Sequence, residues 1–308
     1  MRDNVCFDGV YQQIHIDAAR NATDDFNPFH DPRKCGRIAG NPFGGPLVLG
    51  FQLEALLEHL LARLAPAPAD AERLPWTNYE LTFAGALLPG EPFSAEVRSG
   101  TRREAPELQI AHRVLIRKPG AAVLLGWVRH SGAPLFEAGL ACGAFAAPLR
   151  AAPDRSQHGD WYLKRKFAST GHAKNFLAGA LADQADWFDE LEGRVRFPQM
   201  FPAALLSCAL LEQARGAGHD FYAAPLVYTA HRISVHAPTA LALRSNDALH
   251  LLVRGPEPLA GGGGLGLTVE QLRYVGLVHM GADDRLLARA EVLLAPLAAI
   301  TGARAAAR

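Results

Sequence analysis

The 308-residue chain repeats itself, so any fold it adopts has to accommodate one helix-and-strand unit twice. The run Gly126-Trp127-Val128-Arg129-His130, then Leu135-Phe136-Glu137-Ala138, ending at Pro148, has a counterpart in Gly276-Leu277-Val278-His279-Met280, then Leu286-Leu287-Ala288-Arg289, ending at Pro296. The two share order and polarity pattern more than identity, and a repeat of this size governs every later assignment. Upstream of the first run, Leu49, Leu53, Leu56, Leu57, Leu60 and Leu64 paint one apolar stripe on a helix over Leu47 to Leu64. Gln52, Glu54 and Glu58 form its polar, solvated face. Ala203 to Arg215 plays the same part in the second half, with Pro202 where a first turn tolerates proline.

Strand-like segments follow each helix. In the first half they are Tyr79 to Phe83, Phe93 to Gly100, Leu108 to Arg117, Ala122 to His130 and Leu135 to Phe145. The second half offers Leu226 to His236, Ala248 to Val253, Leu267 to His279 and Leu286 to Leu297. Turn signals such as Pro89-Gly90 and Pro119-Gly120 separate them, and strands joined by short turns pair antiparallel. A long apolar helix followed by a meander is buried most simply when the sheet curls around it. The expected class is therefore α+β: two helix-wrapped antiparallel sheets, residues 1–150 and 151–308, joined by the Pro- and Ala-rich stretch from Ala146 to about Asp160.

Asp25-Phe26-Asn27-Pro28-Phe29-His30 puts a carboxylate, an amide and an imidazole on one short, proline-stiffened loop that reaches solvent. Such a set can hold and deprotonate a water. Turn chemistry accounts for the same residues, because Asp and Asn bond their own backbone and Asn-Pro starts turns. The loop's position just ahead of the first central helix favours function.

This run, followed by Asp31-Pro32 and by Gly44-Gly45-Pro46 opening an apolar stretch, resembles the signature of MaoC-like (R)-specific enoyl-thioester hydratases, which are hot-dog-fold proteins. The resemblance implies a double hot dog in which Asp25 and His30 bind the catalytic water and Asn27 orients them. It implies a hydro-lyase that interconverts a 2-enoyl thioester and a 3-hydroxyacyl thioester carried on coenzyme A or an acyl-carrier protein. The second repeat runs Lys166-Phe167-Ala168-Ser169-Thr170-Gly171-His172 and on through Asp183 and Asp186 without the motif, so one site per chain is expected. Eukaryotic-type double hot-dog hydratases keep the intact copy in the C-terminal repeat, and here it is the N-terminal one.

Hydration also needs N–H donors for the thioester oxygen, and a helix N-terminus supplies them. Asn41 to Leu47 reads as such an entry, with Gly45, next to Gly44, as the oxyanion donor; both also read as turn glycines. The basic run Arg33, Lys34 and Arg37 suits phosphates or an acidic carrier, although such runs are more often solvated faces. Arg102, Arg103, Lys164, Arg165 and Lys166 form comparable clusters. Gly261 to Gly264 lacks the ending of a phosphate loop and reads as a flexible loop.

Thirty-one basic against 31 acidic side chains argue against a broad face for nucleic acid. Cys6, Cys35, Cys142 and Cys208 are scattered, without zinc spacing, and read as reduced thiols. The histidines are dispersed, with His231 and His236 together on a strand, so no metal is expected, and the chemistry needs no redox cofactor. No secretory signal or bilayer-length apolar run is visible, which points to the cytoplasm; a homodimer is compatible with the reading. Two other readings stand beside the hydratase. One is a thioesterase using Glu54 or Glu58, and the other is a non-catalytic acyl-binding subunit.

Overall fold

The computed structural model describes residues 4–64, 66–137, 148–259, 269–281 and 284–306. The first half opens with strand β1 (Val5–Val10) and helix α1 (Gln13–Thr23). A loop leads to helix α2 (Gly50–Leu61) and the short α3 (Pro68–Arg73). Then come β2 (Trp76–Phe83), β3 (Pro92–Val97), β4 (Thr101–Arg103), β5 (Gln109–Lys118) and β6 (Ala121–Ser131). The second half repeats the plan with β7 (Arg155–His158), β8 (Trp161–Phe167), α4 (Thr170–Gly179), a small hairpin of β9 (Phe188–Asp189) and β10 (Arg194–Val195), and helices α5 (Met200–Ala204) and α6 (Leu206–Gly216). It ends with β11 (Leu226–His236), α7 (Ala237–Leu241), β12 (Ala248–Leu259), β13 (Gln271–Met280), β14 (Arg285–Pro296) and α8 (Leu297–Ala306).

One 12-stranded sheet runs in the order β1-β3-β5-β6-β2-β11-β14-β13-β12-β8-β7, with β4 beside β5. Every pair is antiparallel. The order is a near palindrome about the β2–β11 seam, where Trp76 to Thr82 pair with His236 to Ala230. Each half is a sheet around its own central helix, which makes the molecule a double hot dog. β6 and β14 are the topological equivalents, each lying between the seam strand and the next. The sequence alignment of Gly126–His130 with Gly276–Met280 is thus displaced by one strand. The shift arises because the sequence reads as a strand over Leu135–Phe145, which then takes the place opposite β14 that belongs to β6. Leu135 to Glu137 form no strand, and 138–147 lie outside the described residues.

All twelve residues of α2 are buried, so the leucine stripe finds apolar contact on every side. A buried leucine contributes about 1.5–3 kcal/mol relative to an exposed one, and α2 carries five. The solvated face read for Gln52, Glu54 and Glu58 does not exist, because all three reach the second half. Gln52 donates to the Gly179 carbonyl at the end of α4, and Glu54 Oε1 lies 2.7 Å from His231 Nδ1 on β11. Glu58 accepts from the backbone N–H groups of Gln199 and Met200 at 2.6 and 2.8 Å, where α5 begins. Burial pushes the Glu58 carboxyl up to about 7 despite those two donors. The helix expected over Ala203–Arg215 is broken at Leu205 into α5 and α6, with Pro202 inside the first.

Candidate active site

Helix α1 ends because Asp24 turns left-handed, at φ +52°, a conformation Asp tolerates better than most residues. Asp25 follows with both carboxylate oxygens engaged. Oδ1 accepts from the Asn27 backbone N–H at 2.8 Å, the Asx turn that the sequence suggests. Oδ2 accepts from Ser207 Oγ at 2.6 Å, across to α6 in the other half. The serine's proton is committed to Asp25, so its oxygen accepts from the Tyr228 hydroxyl on β11, 3.3 Å away. Burial, and then the Asp25 charge, push the Tyr228 hydroxyl far above its ordinary value and keep it a donor.

Asn27 Oδ1 caps the 3-10 turn Pro28–His30 by accepting from the Phe29 N–H at 3.1 Å. The turn aims His30 Nδ1 at the Leu47 carbonyl, 2.8 Å away, and a carbonyl only accepts. The ring proton therefore sits on Nδ1, and Nε2 carries a lone pair. Burial lowers the imidazole below its ordinary value, with the Asp25 carboxylate opposing, so the ring is neutral at neutral pH. Asp25 and His30 are each only 6% exposed, which corrects the solvent-reaching loop of the sequence reading. Packing of the loop between α6 and the extended segment at Leu47 encloses them.

His30 and Asn27 line a cavity of about 120 Å³ whose other walls are mostly apolar, among them Leu47, Leu53, Phe83 and Leu87. Asp25 is not in the lining; it is set back, tied to Ser207. Gly50, the first residue of α2, does line the cavity. The first N–H groups of a helix have no intrahelical acceptor. A Cβ at Gly50 would come within 2.8 Å of the Phe83 ring, so glycine keeps this helix end open. Gly44 and Gly45 lie upstream of the helix and outside the lining. The helix starts later than Leu47 because the N–H groups of Leu47 and Val48 are bonded to the Phe29 and Leu87 carbonyls. Gly44, at φ +72°, serves the turn.

None of the basic run lines the cavity. Lys34 pairs with Asp31 at 3.4 Å, Arg37 stacks 4.3 Å over the Tyr222 ring, and Arg33 is exposed. The other basic side chains are occupied structurally: Arg102 by Asp70 and Glu104, Lys164 by Glu212, Arg165 by Asp154, and Lys166 by Asp24. Glu54 and Glu58 also lie outside the lining.

Cys6, Cys35 and Cys208 are free thiols. Cys142 and Gly261 to Gly264 fall outside the described residues. Among the described residues no group of three metal-ligating side chains converges, and no helix is long and apolar enough to cross a membrane. Sequence reasoning missed Ser207, Tyr228 and Gly50. Only Gly50 left a signal, as the glycine immediately ahead of the leucine stripe.

No protein-family model and no curated protein matches the sequence. Solved structures match it along nearly its whole length. A putative MaoC domain protein dehydratase from Chloroflexus aurantiacus is 10% identical, with a TM-score of 0.60 and 96% of each chain covered. A conserved hypothetical protein from Mycobacterium tuberculosis with a double hotdog fold is 14% identical, with a TM-score of 0.58 and again 96% of each chain covered. The peroxisomal multifunctional enzyme type 2 of Drosophila melanogaster is 11% identical with a TM-score of 0.53; the match spans 95% of this chain and 48% of that one. The chain has the double hot-dog fold.

Proposed function

We propose that the protein is a hydro-lyase that reversibly hydrates a 2-enoyl thioester to a 3-hydroxyacyl thioester, with coenzyme A or an acyl-carrier protein as the carrier. The observation that carries the reading is His30, a buried neutral imidazole whose Nδ1–H is fixed by the Leu47 carbonyl, in the wall of an apolar cavity that also receives the N-terminus of α2. The motif's likeness to MaoC-like hydratases supports it, as does a fold shared with a putative MaoC domain dehydratase.

In this reading a water is held between His30 Nε2 and Asp25, whose bonded oxygens each retain a second lone pair. His30 takes one proton as the water oxygen attacks the β-carbon, and returns it to the α-carbon, so the elements of water add across the double bond. Asn27 fixes the turn that carries His30. Negative charge on the thioester oxygen falls to the first N–H groups of α2, with Gly50 rather than Gly45 as the donor. Residues 1–150 supply the motif loop and this helix, and residues 151–308 supply Ser207 and Tyr228 behind them. The thioesterase alternative loses support, since Glu54 is held by His231 and Glu58 by two backbone donors.

The test is a trans-2-enoyl-coenzyme A in deuterated water. Expected are loss of conjugated ultraviolet absorbance, no free thiol, and deuterium at the α-carbon. Asp25→Asn and His30→Ala should each cost more than about a hundredfold, the scale of a general acid/base contribution. Thiol release that survives Asp25→Asn would replace the hydratase by a thioesterase, and no reaction at all would leave an acyl-binding subunit.

A further inference from the structure

The cavity at His30 shares walls with two further hollows. A void of about 40 Å³ shares Asn27, Phe29 and Tyr228 with it, and a groove of about 660 Å³ shares Ala214, His219 and Tyr274 with that void. Leu226, where β11 begins, borders all three. The groove lies between α6 and α8 and is wide because its walls are small: Ala214 comes from α6, Ala217 from the turn that ends it, Ala298 from α8, and Ala39 and Gly40 from the loop that follows the motif. Among the described residues no Asp, Glu, Lys or Arg lines it.

The two volumes divide the labour. The 120 Å³ at His30 falls below the roughly 300–1,000 Å³ of ligand sites, whereas 660 Å³ lies within that range. A thioester with its reacting carbons at His30 has little room there and a large uncharged space beyond. Burying phosphates in such a space without partners is prohibitive, and burying hydrocarbon is favourable. We infer that the protein takes long-chain acyl thioesters, the hydrocarbon tail passing Tyr228 and Ala214 to lie in the groove between α6 and α8. The inference depends on the hydratase reading only for the position of the reacting end.

The experiment measures binding of saturated butyryl- and lauroyl-coenzyme A by titration calorimetry, below micellar concentrations. Each buried methylene adds about fourfold in affinity, so lauroyl-coenzyme A should bind at least a hundredfold more tightly than butyryl-coenzyme A. Ala214→Phe, at the junction of void and groove, should cut that ratio at least tenfold. Ala298→Trp on α8 should do the same from the far wall, and serves if the first variant does not fold. Equal affinities in the wild type, or a ratio unchanged in a folded variant, would overturn the proposal. Neither ligand can be hydrated, so the two readings fail separately. Length-dependent binding without turnover of trans-2-dodecenoyl-coenzyme A would remove only the hydratase. Turnover with length-independent binding would remove only the groove.

Discussion

Replacing either member of the Glu54–His231 pair should be among the most damaging changes to stability that this chain can suffer. Both side chains are fully buried, 2.7 Å apart, where α2 meets β11. His231 is ringed by Phe51, Tyr228 and Phe83 at centroid distances of 4.7, 4.5 and 4.9 Å. Among the described residues neither Glu54 Oε2 nor His231 Nε2 has another hydrogen-bond partner, so removing one residue strands the other in an apolar shell. Breaking a buried pair costs about 3–5 kcal/mol, whereas replacing both members by apolar groups of similar size is often neutral or stabilising. Glu54→Met and His231→Phe should therefore each cost about 3–5 kcal/mol in urea unfolding at 25 °C, while the double variant recovers most of that loss, giving a coupling energy of similar size. Single variants that cost under about 1 kcal/mol, or a double variant that sums the two losses, would refute the argument.

The pH dependence divides between activity and stability. His30 is lowered from its ordinary value by burial, with Asp25 opposing, so its ring signal should titrate below about pH 6.5 by NMR and lower still in Asp25→Asn. The acid limb of kcat/KM should follow it, since a proton on Nε2 removes the base. His130 on β6 is lowered by burial to about 4, so the folded state resists a proton that the unfolded chain accepts. Its contribution is intact above about 6.5 and is lost as pH falls toward about 4, roughly 3 kcal/mol in all. His130→Gln should flatten the pH dependence of urea stability by that much over the same window, and parallel curves for variant and wild type would contradict it. Gly50→Ala should lower kcat for enoyl-thioester hydration at least tenfold, because the added carbon meets the Phe83 ring; an unaltered kcat would remove Gly50 from the site.

The central helix and the strand Leu226–His236 were legible in the sequence because periodicity is local and strong. The motif loop was legible too, since an Asx turn and a proline are read from neighbours. What the sequence hid are pairings between distant residues. Glu54 looks like a surface glutamate until His231 is packed against it, and Ser207 is an ordinary helical serine until Asp25 arrives from the other half. β1 was missed because six alternating residues, Val5–Val10, carry too little apolar signal to stand out from a polar terminus. The repeat alignment is displaced by one strand for another reason: Leu135–Phe145 reads as a strand and is set against β14, which belongs opposite β6.

The seam between β2 and β11 also sets a timetable for synthesis. Roughly a hundred residues separate the end of β6 from the end of β11, which at about 5–20 residues per second is a wait of about 5–20 s on the ribosome. Throughout that interval the nascent first half holds an apolar helix bearing three polar side chains that lack their partners from the second half, beside a strand whose outer edge has nothing to pair with. The second half is thus the template on which the first completes itself, and a stalled or truncated chain is exposed at its most adhesive surface.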